Sequence, residues 1–228
     1  SFDNSIHKLW CINDKKIINE FQNITKNIQH LYIADGHHRM GAMQHIKKNN
    51  PLNDKFMIAA FPSNECNIFD YNRVIKDLNG LSKDQFIRAL SKDFKISKTD
   101  EAHKPRTKKE FGMYHDNQWY VINFAGSLDS SNFINELDIN ILNDFCLTNI
   151  LNIKDVNNDE RIRFIAGCHG LSALEKKVDE NPDSVAFSIF PSEISDVMRV
   201  ADNNLTMPPK STWFDPKPLD GLVVYEFS

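Results

Sequence analysis

Helical and strand-like patterns follow one another in this 228-residue chain without strict alternation. Apolar residues at helical spacing predict helices over residues 15–28, 37–49 and 136–151. Short apolar runs predict strands over residues 31–34, 56–61, 161–167, 185–190 and 221–227. Asp116-Asn117 is predicted to form the turn of a hairpin over residues 111–124. The order favours an α+β fold, with mixed sheets and helices packed on them.

Polar residues mark the predicted starts of three further helices. Ser82 and Gln85 have the spacing of a capping box, and the helix they begin is predicted to run to Phe94. Ser172 and Glu175 have the same spacing and predict a helix that ends near residue 180. A third helix is predicted from Pro191-Ser192 to about residue 201.

A polar stretch over residues 97–109 is predicted to form a solvated loop. It could separate a first lobe, residues 1–96, from a second lobe, residues 110–228. A chain of 228 residues also fits one continuous domain, so both arrangements remain open.

Charge and cysteine content indicate which partners and which cellular location are expected. The net charge of −4 makes nucleic acid an unexpected partner, and no apolar run approaches the length of a membrane span. The first residues lack the pattern of a signal peptide. None of the four cysteines forms a CxxC pair, which favours a reducing, cytoplasmic location. We expect no haem, flavin or structural zinc.

Five consecutive residues, Asp35-Gly36-His37-His38-Arg39, form the first candidate site. They lie where a strand is predicted to meet a helix whose N-terminus attracts anions. Gly36 allows a ligand to approach the backbone closely. The Arg39 guanidinium can donate two parallel hydrogen bonds to a phosphate or a carboxylate. Asp35 could cap the helix, contact Mg²⁺ or act as a base, and His37 or His38 could transfer protons.

The alternative for this segment is a helix cap followed by surface histidines. A metal site built by the protein alone is disfavoured, because adjacent side chains on a helix point about 100° apart and rarely ligate one ion.

A proline-stiffened segment, residues 207–217, forms the second candidate site. It offers two cations and two hydroxyl groups to an anion: Lys210, Ser211, Thr212 and Lys217. The alternative is a rigid connection packed by Trp213 and Phe214. Arg73 could lie beside the first site or form an ordinary surface ion pair. We expect Lys210 or Lys217 to approach the Asp35–Arg39 turn, so that both segments serve one ligand.

Taken together, these segments resemble the bacterial family known as domain of unknown function 1015. The resemblance rests on residues 7–10, 32–39, 71–73, 207–214, 216–217 and 221–222. Met40 departs from it, since family members usually have tyrosine there. Because members are about twice as long, this chain resembles their carboxyl half, and the amino-terminal half of the same protein is an expected partner.

The Asp35–Arg39 segment also resembles the nucleotide-binding turn of the ParB/sulfiredoxin-like group, which includes free-serine kinases. This local resemblance implies that Gly36, His37, His38 and Arg39 hold phosphate, and that Asp35 orients a hydroxyl group or Mg²⁺. The expected function is phosphoryl transfer or phosphate-ester hydrolysis on a phosphorylated small molecule or nucleotide. The alternatives are a non-catalytic regulator that binds such a ligand and, disfavoured by charge, a DNA-binding partition protein.

Overall fold

The computed structural model describes residues 6–49, 55–129, 132–215, 217–219 and 221–226. The chain divides into two compact units, residues 1–41 and 42–228. Within the described residues, no helix combines the length and the apolar character needed to cross a membrane.

The described part of the first unit contains one helix and the beginning of a second. Helix α1 spans Lys15–Thr25, three residues shorter than predicted, and begins where the Asp14 carboxylate accepts a hydrogen bond from the Lys16 N–H at 2.7 Å. It buries none of its residues. Helix α2 begins at His37, as predicted, and extends to Asn49 in the second unit.

The described residues of the second unit form two antiparallel sheets. The larger has the strand order β3-β5-β4-β7-β2-β6, and a two-stranded sheet pairs β1 with β8. The strands are β1 (Asn67–Phe69), β2 (Tyr71–Ile75), β3 (Phe94–Thr99), β4 (Glu110–His115), β5 (Gln118–Phe124), β6 (Ile162–Ala166), β7 (Val185–Ile189) and β8 (Trp213–Asp215). The helices are α3 (Lys83–Leu90), α4 (Asp138–Leu142), α5 (Ser172–Asp179) and α6 (Ile194–Asp202), with π-helical turns over Asn143–Thr148 after α4. This is the predicted α+β class.

Both faces of the larger sheet are covered by helices. On one face, Phe86 of α3 and Leu142 of α4 belong to the main apolar core together with Phe111 and Phe187 of the sheet. On the other face, α5 contributes to a smaller cluster: Leu174 and Val178 with Val74, Tyr114, Trp119 and Ala186. Apolar burial on both faces makes this sheet the centre of the unit.

Local turn and cap chemistry agrees with the predictions at two places. Asp116 and Asn117 have φ values of 50° and 56° between β4 and β5, as a tight hairpin turn requires. Ser82 and Gln85 exchange both hydrogen bonds of a capping box at the start of α3. The α3 helix ends at Leu90, however, and Phe94 already belongs to β3.

Other predictions from the sequence are wrong. No strand is present at residues 31–34, at 56–61 or within the described residues 221–226. Leu31 and Phe56 are exposed rather than buried, so an apolar run alone was insufficient to predict a buried strand. The second capping box is also absent: α5 begins at Ser172, but Glu175 accepts a hydrogen bond from the Trp119 indole at 2.8 Å.

The polar stretch over residues 97–109 connects strands of a single sheet. Strand β3 continues to Thr99, and β4 begins at Glu110. Pro105 between them is buried, and the His103 carbonyl accepts a hydrogen bond from Ser188 in β7 at 2.7 Å. The stretch is therefore partly packed against the sheet.

Candidate functional site

The turn over residues 35–39 initiates helix α2. Gly36 has a φ of 83°, a backbone conformation that residues other than glycine rarely adopt. The Asp35 carboxylate accepts a hydrogen bond from the Gly36 N–H at 2.8 Å, and the Gly36 carbonyl accepts one from the Met40 N–H at 2.9 Å. The carboxylate and the first turn of α2 are thus held together by the backbone of Gly36.

The Arg39 guanidinium lies against Gly36. A Cβ atom at position 36 would be 3.2 Å from the Arg39 Nε and 3.4 Å from its Nη2. Asp35, His37 and Arg39 are exposed, whereas the side chain of His38 lies outside the described part of the structure. Glycine at this position therefore leaves room for a planar cation beside the start of the helix.

Arg73 is fully buried beneath the segment over residues 207–217. Its guanidinium donates to the carbonyl of Lys210 at 3.0 Å and to the carbonyl of Tyr71, and it lies 4.9 Å from the Phe164 ring centroid. Burial lowers the pKa of Arg73 to about 9. Arg73 thus anchors the segment to strand β2, an arrangement that differs from the predicted surface ion pair.

The two lysines of the segment lie over one pair of aromatic rings. The Nζ of Lys210 is 5.7 Å from the Tyr71 ring centroid, and the Nζ of Lys217 is 4.9 Å from that of Trp213. The Tyr71 and Trp213 centroids are 5.8 Å apart. The structure therefore brings together the predicted cations Lys210 and Lys217 on an aromatic surface that the sequence did not predict.

The hydroxyl residues of the segment differ in exposure. Ser211 is buried, and its Oγ donates to the Pro208 carbonyl at 2.6 Å. Its own carbonyl accepts a hydrogen bond from Ser192 at 3.3 Å. Thr212 is half-buried. In this conformation, the Ser211 hydroxyl stabilises the turn of the segment. The approach of Lys210 or Lys217 to the Asp35–Arg39 turn stays a prediction.

A cavity of about 270 Å³ lies in the second unit, and Ser211 is one of its lining residues. Asp138, at the start of α4, also lines it and is nine-tenths buried. Burial raises the pKa of Asp138 to about 7. A functional role for Asp138 was not predicted from the sequence. The available signal was an acid between two apolar residues at the start of a helix, which is also typical of an ordinary helix N-terminus.

Residues 1–140 match the family model described as Protein of unknown function (DUF1015). The chain belongs to this family. The family match includes the Asp35–Arg39 turn and ends before residues 207–217. No curated protein matches the chain. Membership of DUF1015 confirms the resemblance that the sequence motifs indicated.

Solved structures similar to this DUF1015 chain have low sequence identity. Free serine kinase in complex with AMP is 16% identical, with a TM-score of 0.44, over 88% of this chain and 80% of that chain. A mutant of that kinase in complex with ADP gives the same identity, TM-score and coverage. A conserved hypothetical protein from Pyrococcus furiosus is 14% identical, with a TM-score of 0.40, over 88% of this chain and 83% of that chain. At these scores, the similarity does not define a function for this chain.

Proposed function

We propose that the Asp35–Arg39 turn binds the phosphate of a phosphorylated small molecule or nucleotide, and that the protein catalyses phosphoryl transfer or phosphate-ester hydrolysis there. The proposal rests on the Arg39 guanidinium, which lies against Gly36 at the start of α2. An arginine fork and a helix N-terminus both favour an anion, and here they occur at one turn.

The start of α2 supports this proposal through its charge. The first backbone N–H groups of an α-helix lack intrahelical acceptors and carry partial positive charge. Helix α2 has no acidic residue in its first turn; the Asp35 carboxylate lies just before it and accepts a hydrogen bond from the Gly36 N–H. A phosphate at this position would accept hydrogen bonds from both the backbone and Arg39.

Asp35 and His37 are the proposed proton-transfer groups. Asp35 is exposed and held by the Gly36 N–H, a position from which it could orient an attacking hydroxyl group. Among the described residues, no three His, Cys, Asp or Glu side chains form a metal-binding group. The alternative role of Asp35 is to contact Mg²⁺, since a single carboxylate fits an ion bound mainly through phosphates. Asp35 would then hold the ion instead of transferring a proton, and the ion would neutralise phosphate charge.

The Arg39→Ala variant tests the binding role. Removing the guanidinium should weaken binding of a phosphorylated ligand about 10- to 150-fold, since charge-assisted hydrogen bonds contribute about 1.5–3 kcal/mol. Calorimetric titration with AMP, ADP, ATP and phosphoserine measures this loss. The matched control is Arg106→Ala, an exposed arginine in the connection between β3 and β4. Equal affinity in wild type and Arg39→Ala for every ligand bound would refute the phosphate role.

The Asp35→Asn variant separates catalysis from binding. The amide oxygen of asparagine can still accept the Gly36 N–H, so the turn should be retained while the carboxylate is lost. Turnover of the bound ligand, followed by phosphate release and by transfer to acceptors, should fall more than affinity. Binding without any turnover in the wild-type protein would favour the regulatory alternative.

A further inference from the structure

The cavity in the second unit combines apolar walls with one buried acid. Its apolar lining includes Phe133, Ile139, Ile189 and Phe190, while Tyr71 and Ser192 contribute polar groups. A volume of about 270 Å³ is below the usual range for a drug-sized ligand, which favours a small one. All of these residues belong to the second unit.

Asp138 has an unsatisfied hydrogen-bond acceptor at this cavity. Its Oδ1 accepts a hydrogen bond from the Lys109 N–H at 2.8 Å. Its Oδ2 is buried and has no hydrogen-bond donor within the described part of the chain. An unsatisfied buried carboxylate oxygen is unfavourable for folding, so a donor supplied by a ligand would be favourable there.

The charged side chains that line the cavity are balanced in number, and Lys108 among them is already paired. Lys108 contacts two carboxylates, those of Glu193 and Asp196, each at 2.9 Å. The Arg199 guanidinium lies 4.2 Å from the Phe133 ring centroid. The charged side chains that line the cavity are three cations and three carboxylates: Lys108, Lys109, Arg199, Glu136, Asp138 and Asp196. Because Lys108 is already paired with two carboxylates, it offsets the charge of Asp138 less than an unpaired lysine would.

We propose that this cavity binds a small organic cation, a primary ammonium attached to an apolar group, whose N–H donates to the Asp138 carboxylate. The apolar group would pack against Phe133, Ile139 and Phe190. This site does not depend on phosphate binding at the Asp35–Arg39 turn, so failure of either proposal leaves the other intact.

Protonation of Asp138 gives the proposed site a pH dependence. Burial and, to a smaller extent, the charge of Asp196 raise the pKa of this carboxyl, whereas Lys109 and Lys108 lower it. The pKa that results is about 7. A cation binds the ionised form, so its affinity should rise as pH increases through this value and level off above it. Binding below it should release a proton from Asp138.

Benzylamine is the probe, and benzyl alcohol and benzoate are matched in shape but differ in charge. Binding is measured by NMR titration and calorimetry on the full chain. Benzylamine should bind with shift changes at residues that line the cavity, whereas benzyl alcohol should bind at least about tenfold more weakly. Asp138→Asn should weaken benzylamine binding about tenfold or more, and Asp144→Asn, an acid outside the cavity, should leave it unchanged.

The wild-type pH profile keeps the test independent of the variants. Affinity for benzylamine should fall between about pH 8 and about pH 5.5 as Asp138 takes up its proton. Several results would overturn the proposal: no binding of benzylamine, equal binding of benzyl alcohol, preferred binding of benzoate, or a flat pH profile. The binding result for Asp138→Asn is interpreted only if the circular dichroism spectrum of this variant matches that of the wild type.

Discussion

Helices α1 and α3 have the same kind of apolar pattern and opposite degrees of burial. Phe86 and Leu90 of α3 have no exposed surface. In α1, Phe21 is 56% exposed and Ile24 is 64% exposed. The face of α3 packs into a core that includes Phe94 and Phe111, whereas α1 has no buried residue. The spacing of apolar residues predicts that a helix has an apolar face. Whether that face is buried depends on the residues that pack against it.

The largest expected difference between the two helices comes from deleting an aromatic ring. Phe86→Ala should lower the free energy of unfolding by about 3–5 kcal/mol, because it leaves a cavity in the core. Phe21→Ala should change it by no more than about 0.5 kcal/mol. Urea unfolding followed by circular dichroism measures both. A large loss of stability in Phe21→Ala would show that α1 is buried in solution.

The next test uses pH, because the second unit contains a buried acid whose pKa is raised to about 7 from 3.8. The folded state binds this proton more tightly, so the contribution of this group to stability is full below about pH 4, falls as pH rises to 7, and is level above it. The difference amounts to at most about 4 kcal/mol. Asp138→Asn should flatten this part of the profile. An identical slope in wild type and variant would contradict the raised pKa.

The smallest effect concerns the two helix caps. Ser82→Ala should lower the unfolding free energy by about 1 kcal/mol, because it removes a capping hydrogen bond from a helix packed in the core. Asp14→Ala removes the corresponding bond from α1 and should change the same transition by less than about 0.5 kcal/mol. Equal losses in the two variants would indicate that α1 unfolds together with the core.

Features with local causes were predictable from the sequence. The hairpin at Asp116-Asn117 needs two residues that tolerate positive φ, and the capping box at Ser82 needs partners three residues apart. The start of α2 at His37 belongs to the same class, because Gly36 precedes it.

Features that depend on distant partners were missed. Strand β8 exists because Trp213 pairs with Phe69, and neither segment has a strong strand pattern of its own. Strand β3 contains several polar residues and depends on its pairing with β5. For the same reason, the burial of Asp138 was not visible: it requires Lys109 and residues of α6 to lie beside it. Glu175 bonds to Trp119 instead of capping α5, another outcome that local spacing cannot show.

The buried guanidinium of Arg73 has a consequence for sequence divergence. It donates to the main-chain oxygen of Lys210, 137 residues away, so this contact depends on the path of the backbone there and not on the side chain. Residue 210 has a φ of 53°, so it can be exchanged without loss of this anchor for residues that tolerate this backbone conformation, such as asparagine or glycine. Lysine at position 73 would lack the planar fork that reaches two carbonyls. Substitution of Arg73 should therefore loosen this segment more than substitution of Lys210 by a residue that keeps the same φ.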